Sequence, residues 1–118
     1  MTILYLLLLL QVKHLVIDWI LQPKWMWSNK GTYGHYGGLV HAGLNALGTA
    51  GCFLVLGFPA LLVLFIDCIA HYHIDWAKMN INKFKGWGPI THNEFWWLTG
   101  ADQFLHQITY LGLIALVI

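Results

Sequence analysis

The sequence predicts an all-α fold, a four-transmembrane-helix up-and-down bundle with a short interfacial helix in its last loop. Three observations carry that expectation. Of 118 residues, 58% are hydrophobic and only 9% are charged, where an ordinary soluble domain carries about 25% charged residues. Such a chain cannot cover a globule with polar surface, so a membrane is its natural solvent. Four apolar segments, at about 2–21, 38–56, 59–78 and 99–118, each approach the ~20 residues that cross a hydrocarbon core. Inside three of them histidine and aspartate recur four positions apart, as His14/Asp18, His71/Asp75 and Asp102/His106. The segments are read as a single integral membrane domain spanning 1–118.

The first segment is a leucine-rich run stopped by Pro23, which a helix interior does not accommodate. It has no basic residue before the leucines and no small-residue cleavage site after them, so it reads as a retained helix and not a signal peptide. The second carries a ladder of small residues, Ala42, Ala46 and Ala50, with Gly43 and Gly51 nearby; small faces let membrane helices approach closely. Gly57-Phe58-Pro59 then makes a tight hairpin, with proline suited to the start of the third segment. The remaining connections, 22–37 and 79–98, are long and rich in Gly, Lys and Trp. In the last of them Thr91-His92-Asn93-Glu94 fits a capping box before Phe95-Trp96-Trp97, which predicts the interfacial helix. Thr99 to Asp102 offers a second start signal for the final span.

A spacing of four places both members of a pair on one face of a helix. The order is His-then-Asp in the first and third segments and Asp-then-His in the fourth. In an up-and-down bundle the fourth helix runs against the other two, so all three pairs point the same way in space. His41, with Asn45 four residues on, lies early in the second segment, so four helices each bring a histidine to one level, near the long loops. All seven tryptophans lie on or beside that side, with Lys24, Lys30, Lys78, Lys83 and Lys85. Tryptophan favours the headgroup level, and the positive-inside rule then puts the loops in the cytoplasm and both termini outside. The expected location is a bacterial inner membrane.

Ionisable groups at membrane depth are costly and face a bundle interior or a watery cavity. Imidazole and carboxylate together are the ligand set of a divalent ion, zinc above all. The candidate ligands are His14, Asp18, His41, His71, Asp75, Asp102 and His106. They exceed what one catalytic ion needs, so either some aspartates orient ligating imidazoles or two ions share the site. Gln22, Asn45, Asp67, Lys78 and Gln103 are candidates for an outer layer, with Asp67 expected to be protonated or bonded to a histidine. Lys78 reads either as a snorkelling anchor or as a phosphate-binding charge. Two other readings of the cluster stand beside the metal: an unmetallated polar network or proton relay, and a b-type haem site. Against haem, the carboxylates would repel its propionates, and the chain has no arginine to hold them. His35, His73 and His92 are expected to be structural hydrogen-bonders, and Cys52 and Cys68 small buried thiols. A net charge of +1 argues against nucleic acid as a partner.

The string His14-x-x-x-Asp18-Trp-Ile-Leu-Gln22, then His41, then His71-x-x-x-Asp75-x-x-Lys78, then Asp102-Gln103-x-x-His106 resembles a family of small bacterial and phage membrane proteins known as domain of unknown function 3307. The resemblance covers most of the chain and marks those ten residues as a common site. It also looks distantly like the inner-membrane metal-dependent hydrolases. It implies no reaction by itself. A metal near the interface is suited to activating water for hydrolysis, so the expected function is a metal-dependent hydrolase of a lipid or lipid-linked substrate. The competing expectation is a non-catalytic subunit or scaffold, with other membrane subunits or a second copy of the chain as partners.

Overall fold

The computed structural model describes residues 1–118, and every regular element is helical. Helix α1 (Thr2–Leu15) runs straight into a π-helical turn (Val16–Ile20). It is followed by a short α2 (Lys24–Trp27), then α3 (Tyr36–Val55), α4 (Leu61–Lys85) and α5 (Asn93–Val117). The long helices pack in the ring order α1, α3, α4, α5. Thr49 pairs with Asp67 while His41 meets Asp75, and His106 pairs with Asp75 while Lys78 meets Asp102, so α4 runs antiparallel to both α3 and α5.

Local chemistry explains the ends. Gly57, at φ 81, closes α3 in the left-handed region, and the Phe58 N–H returns to the Phe53 carbonyl. Pro59 precedes α4 without opening it, because the first helical residue is Leu61. Gly86, at φ 67, ends α4 in the same way. Helix α4 therefore continues well past the expected stop at Lys78. The expected interfacial helix is not a separate element: Asn93 starts a helix that runs unbroken through Thr99 to Val117. The capping box does not form; His92 stands at the cap position without a side-chain cap bond, and the Thr99 hydroxyl donates back to the Phe95 carbonyl. The short helix lies instead in the first long loop, as α2.

Of the four spans expected, two are met by hydropathy. Two helices, Thr2–Ile20 and Tyr36–Val55, are long and apolar enough to cross a membrane. Helices α4 and α5 are longer, but Asp67, His71, Asp75 and Lys78 in one, and Asp102, Gln103, His106 and Gln107 in the other, lower their mean hydropathy. Most of these polar groups are buried, while Leu61, Leu62, Phe65 and Ile69 of α4 and Phe104, Leu105, Ile108 and Leu111 of α5 face outward.

At the hairpin end the bundle is closed by Leu6, Leu10, Phe53, Val63, Leu113 and Ile114. Ala42, Ala46 and Ala50 are buried as the small-residue ladder predicts, but Gly43 and Gly51 face open space. The close approach is made at Gly48, where an added Cβ would stand 2.7 Å from Lys13 Cγ.

Candidate metal centre

Each long helix supplies part of one buried cluster at the loop end. The π-helical turn presents Asp18, α3 presents His41 and Asn45, α4 His71 and Asp75, and α5 Asp102 and His106; all are buried. In the π-helical turn the Leu21 N–H reaches the Val16 carbonyl at 2.7 Å; such turns recur at functional sites.

The two central imidazoles meet head to head, His41 Nε2 to His71 Nε2 at 3.1 Å. Asp18 Oδ1 lies 2.9 Å from His41 Nε2 and 3.5 Å from His71 Nε2. Asp75 Oδ2 lies 3.5 and 3.2 Å from the same two nitrogens. These separations bracket the about 3.3 Å expected between ligands around a tetrahedral ion with ~2.0 Å bonds. His106 extends the cluster: its Nε2 is 3.2 Å from Asp75 Oδ1 and 3.6 Å from Asp102 Oδ1, and its ring stacks on His71 with centroids 4.1 Å apart. Three overlapping sets have the compactness to hold a metal ion: Asp18, His71 and His106; His41, His71 and Asp75; and Asp75, Asp102 and His106. The buried Nδ1 atoms of His41 and His71 have no partner, so the polar contacts of both rings lie on the Nε2 side, and Asp102 Oδ1 lacks a hydrogen bond as well.

His14 lies outside these sets. Its Nε2 donates to Gln103 Oε1 at 2.6 Å and stands 3.4 Å from Asp18 Oδ2, and its Nδ1 is 3.0 Å from the Tyr110 hydroxyl. Behind it sits a residue that the sequence reading passed over. Lys13 is buried in the bundle, donating to Asn45 Oδ1 at 2.9 Å and to the Tyr110 oxygen at 2.7 Å, with its stem laid against Gly48. An ammonium can only donate. Asn45 must therefore turn its oxygen to Lys13 and its NH₂ to the cluster, where it donates to Asp18 Oδ1 at 2.8 Å. A second arm runs from Lys13 through Tyr110, His14 and Gln103 to Asp102 Oδ2, the last bond 2.9 Å. Two cues pointed to these residues: a lysine in an apolar run follows the same cost rule as the aspartates, and Tyr110 follows His106 by four.

Lys30, expected as a loop anchor, is buried with its ammonium 3.0 Å from Asp75 Oδ2. The loop that carries it is pinned to α4: the Gly34 N–H donates to the Tyr72 hydroxyl at 2.7 Å, and Asn80 Nδ2 to the Gly31 carbonyl at 2.9 Å. Lys78 lies 3.6 Å from Asp102 Oδ2. Both lysines line a cavity of about 270 Å³ with Asp18, Asp75, Asp102, Gln22 and Gln103, walled by Trp19, Phe95 and Trp96.

The other expectations divide. Asp67 is buried, but its partner is the Thr49 hydroxyl at 2.7 Å rather than a histidine. The Gln22 amide bonds the Asp18 carbonyl, so it braces the backbone beneath the carboxylate. His35 accepts the Gly37 N–H at the start of α3, His73 bonds the Ile69 carbonyl and Tyr33, and His92 bonds Thr91; all three make their hydrogen bonds outside the cluster. Cys52 and Cys68 are free and half-buried.

The model of a family described as Protein of unknown function (DUF3307) matches residues 4–118, and the chain belongs to that family. No curated protein and no solved structure matches the chain.

Proposed function

We propose that this DUF3307 chain is a four-span membrane protein whose buried His/Asp cluster is a divalent metal centre, acting as a hydrolase on an amphiphilic substrate. The observation that carries the reading is the convergence of His41 Nε2 and His71 Nε2 with Asp18 Oδ1 and Asp75 Oδ2. His106 and Asp102 complete the donor set, and Asn45, Gln103 and His14 hold it in place. Zinc suits these nitrogen and oxygen donors. When bound, a divalent ion supplies the Lewis acidity that hydrolysis requires.

Membrane insertion of α4 and α5 is supported by their outward apolar side chains and inward polar ones, since hydropathy averaged along a helix does not distinguish the two faces. The longest dimension, 45 Å, equals the ~40–45 Å of a bilayer with its headgroups. Lys24, Lys83 and Lys85, exposed at the loop end, favour a cytoplasmic site with both termini outside, in a bacterial inner membrane.

Metal analysis of the detergent-purified chain tests the reading. Retained zinc or another divalent ion, with a melting temperature that rises on metal addition, is the expected result. No bound metal and no thermal response would falsify the metal centre. The second reading, a non-catalytic subunit held together by its polar network, would then take its place. Its supporting observation is that Lys30 and Lys78 already neutralise Asp75 and Asp102.

A further inference from the structure

The two lysines have a consequence beyond charge balance. Lys30 Nζ lies 3.0 Å from Asp75 Oδ2 and Lys78 Nζ 3.6 Å from Asp102 Oδ2, and all four residues line the cavity. A divalent ion drawn to the same carboxylates takes over that compensation and leaves the ammoniums free to turn into the cavity. Among the residues that line the cavity, three carboxylates against two ammoniums leave one net negative charge, which repels an anion. A divalent ion reverses that balance to one net positive charge, which attracts one. The cavity's 270 Å³ has room for several groups the size of a water, at ~30 Å³ each. Gln22 and Gln103 line it beside the charges, and Trp19, Phe95 and Trp96 provide an apolar wall.

We propose that Lys30 and Lys78 form a metal-dependent clamp for a phosphate group, so that the ion binds first and the phosphate second. This rests on the metal-centre reading and names the substrate class of that site. The alternative role for Lys78, a snorkelling anchor, does not explain why its ammonium is on the buried Asp102.

The test uses the full chain in detergent, with and without added zinc. It is titrated with inorganic phosphate and, separately, with micelles containing phosphatidate; micelles of phosphatidylcholine alone serve as the blank. Tryptophan fluorescence reads occupancy, because Trp19 and Trp96 line the cavity. The expected result is a saturable response only with zinc present, weakened about tenfold or more in Lys30→Gln and in Lys78→Gln by the lost charge-assisted contact, and unchanged in the exposed Lys83→Gln. A response to both ligands supports recognition of the phosphate alone; a response to phosphatidate only supports a lipid headgroup seated against the apolar wall. No response to either, a response equal without zinc, or one indifferent to both lysine substitutions overturns the proposal. Should Lys30→Gln fail to fold, Lys78→Gln decides, since Lys78 is the more exposed of the two. Zinc retained without a phosphate response sinks the clamp alone; no retained metal sinks the clamp and the metal centre together.

Discussion

At the hairpin end of the bundle, Leu6, Leu10, Phe53, Val63, Leu113 and Ile114 fill the interior. At the loop end the same helices bury His41, His71 and His106 among Asp18, Asp75 and Asp102, with every one of these side chains as inaccessible as the apolar core. The two ends are closed to solvent by different physics. Dispersion contacts at the hairpin end are individually small and non-directional, so that end needs volume and little else. The loop end needs each donor matched to an acceptor, because an unmatched polar group in a low-dielectric interior is expensive. Between them lies a border layer, Lys13 with Asn45 and Tyr110, and Thr49 with Asp67. Polar order begins there and is passed outward to the aspartates. The hairpin end is a holder, and the loop end is what it holds.

Substitutions that separate the two ends test this division. The largest effects belong to a matched pair. Phe53→Ala empties a fully buried ring position and is expected to cost about 3 kcal/mol, the low end of the ~3–5 kcal/mol range because lipid is the alternative surrounding. The metal bound per folded chain should stay the same. His71→Ala removes the imidazole shared by two of the metal-competent sets and should weaken metal retention by at least the ~10–100-fold typical of outer partners. Metal analysis beside thermal unfolding reads both. A Phe53 variant that loses metal while still folded would erase the distinction between holder and held.

An intermediate effect is expected at the border. Lys13→Met keeps the stem but removes both donated bonds, to Asn45 and to Tyr110. Leaving those acceptors unmatched should cost ~1–3 kcal/mol. Freed to turn over, Asn45 should lower metal affinity about tenfold, the scale of a lost orienting partner. Melting curves and metal titration check the two numbers. A stability loss with unchanged affinity would confine Lys13 to the holder.

The smallest effects sharpen the line along one helix. Gly48→Ala places a Cβ 2.7 Å from Lys13 Cγ and should destabilise by ~1–3 kcal/mol as overpacking does. Gly43→Ala, with nothing within 4 Å, should instead stabilise by up to ~1 kcal/mol, since alanine loses less backbone freedom in a helix. Equal melting temperatures for the two variants would mean that Lys13 is not held by the groove at Gly48.

Much of the site was legible along the chain. The i, i+4 spacing placed each His/Asp pair on one helix face, and the reversed order in the last segment put all three pairs at one level. The first is a local consequence of 3.6 residues per turn, the second follows once the last helix runs against its neighbours, and both hold in the folded chain. The helical class and the hairpin at Gly57 follow from equally local preferences. Four features depended on tertiary structure: the π-helical turn that carries Asp18, the run-on of α5 through Thr99, the placement of Lys30 on Asp75, and the partition that leaves His14 on Gln103 and Tyr110 while His41 joins His71. The last two are settled by what a neighbouring helix or a docked loop offers across the bundle. Spacing fixes which residues share a face of one helix, whereas partners across helices are chosen by contacts between residues far apart in the chain.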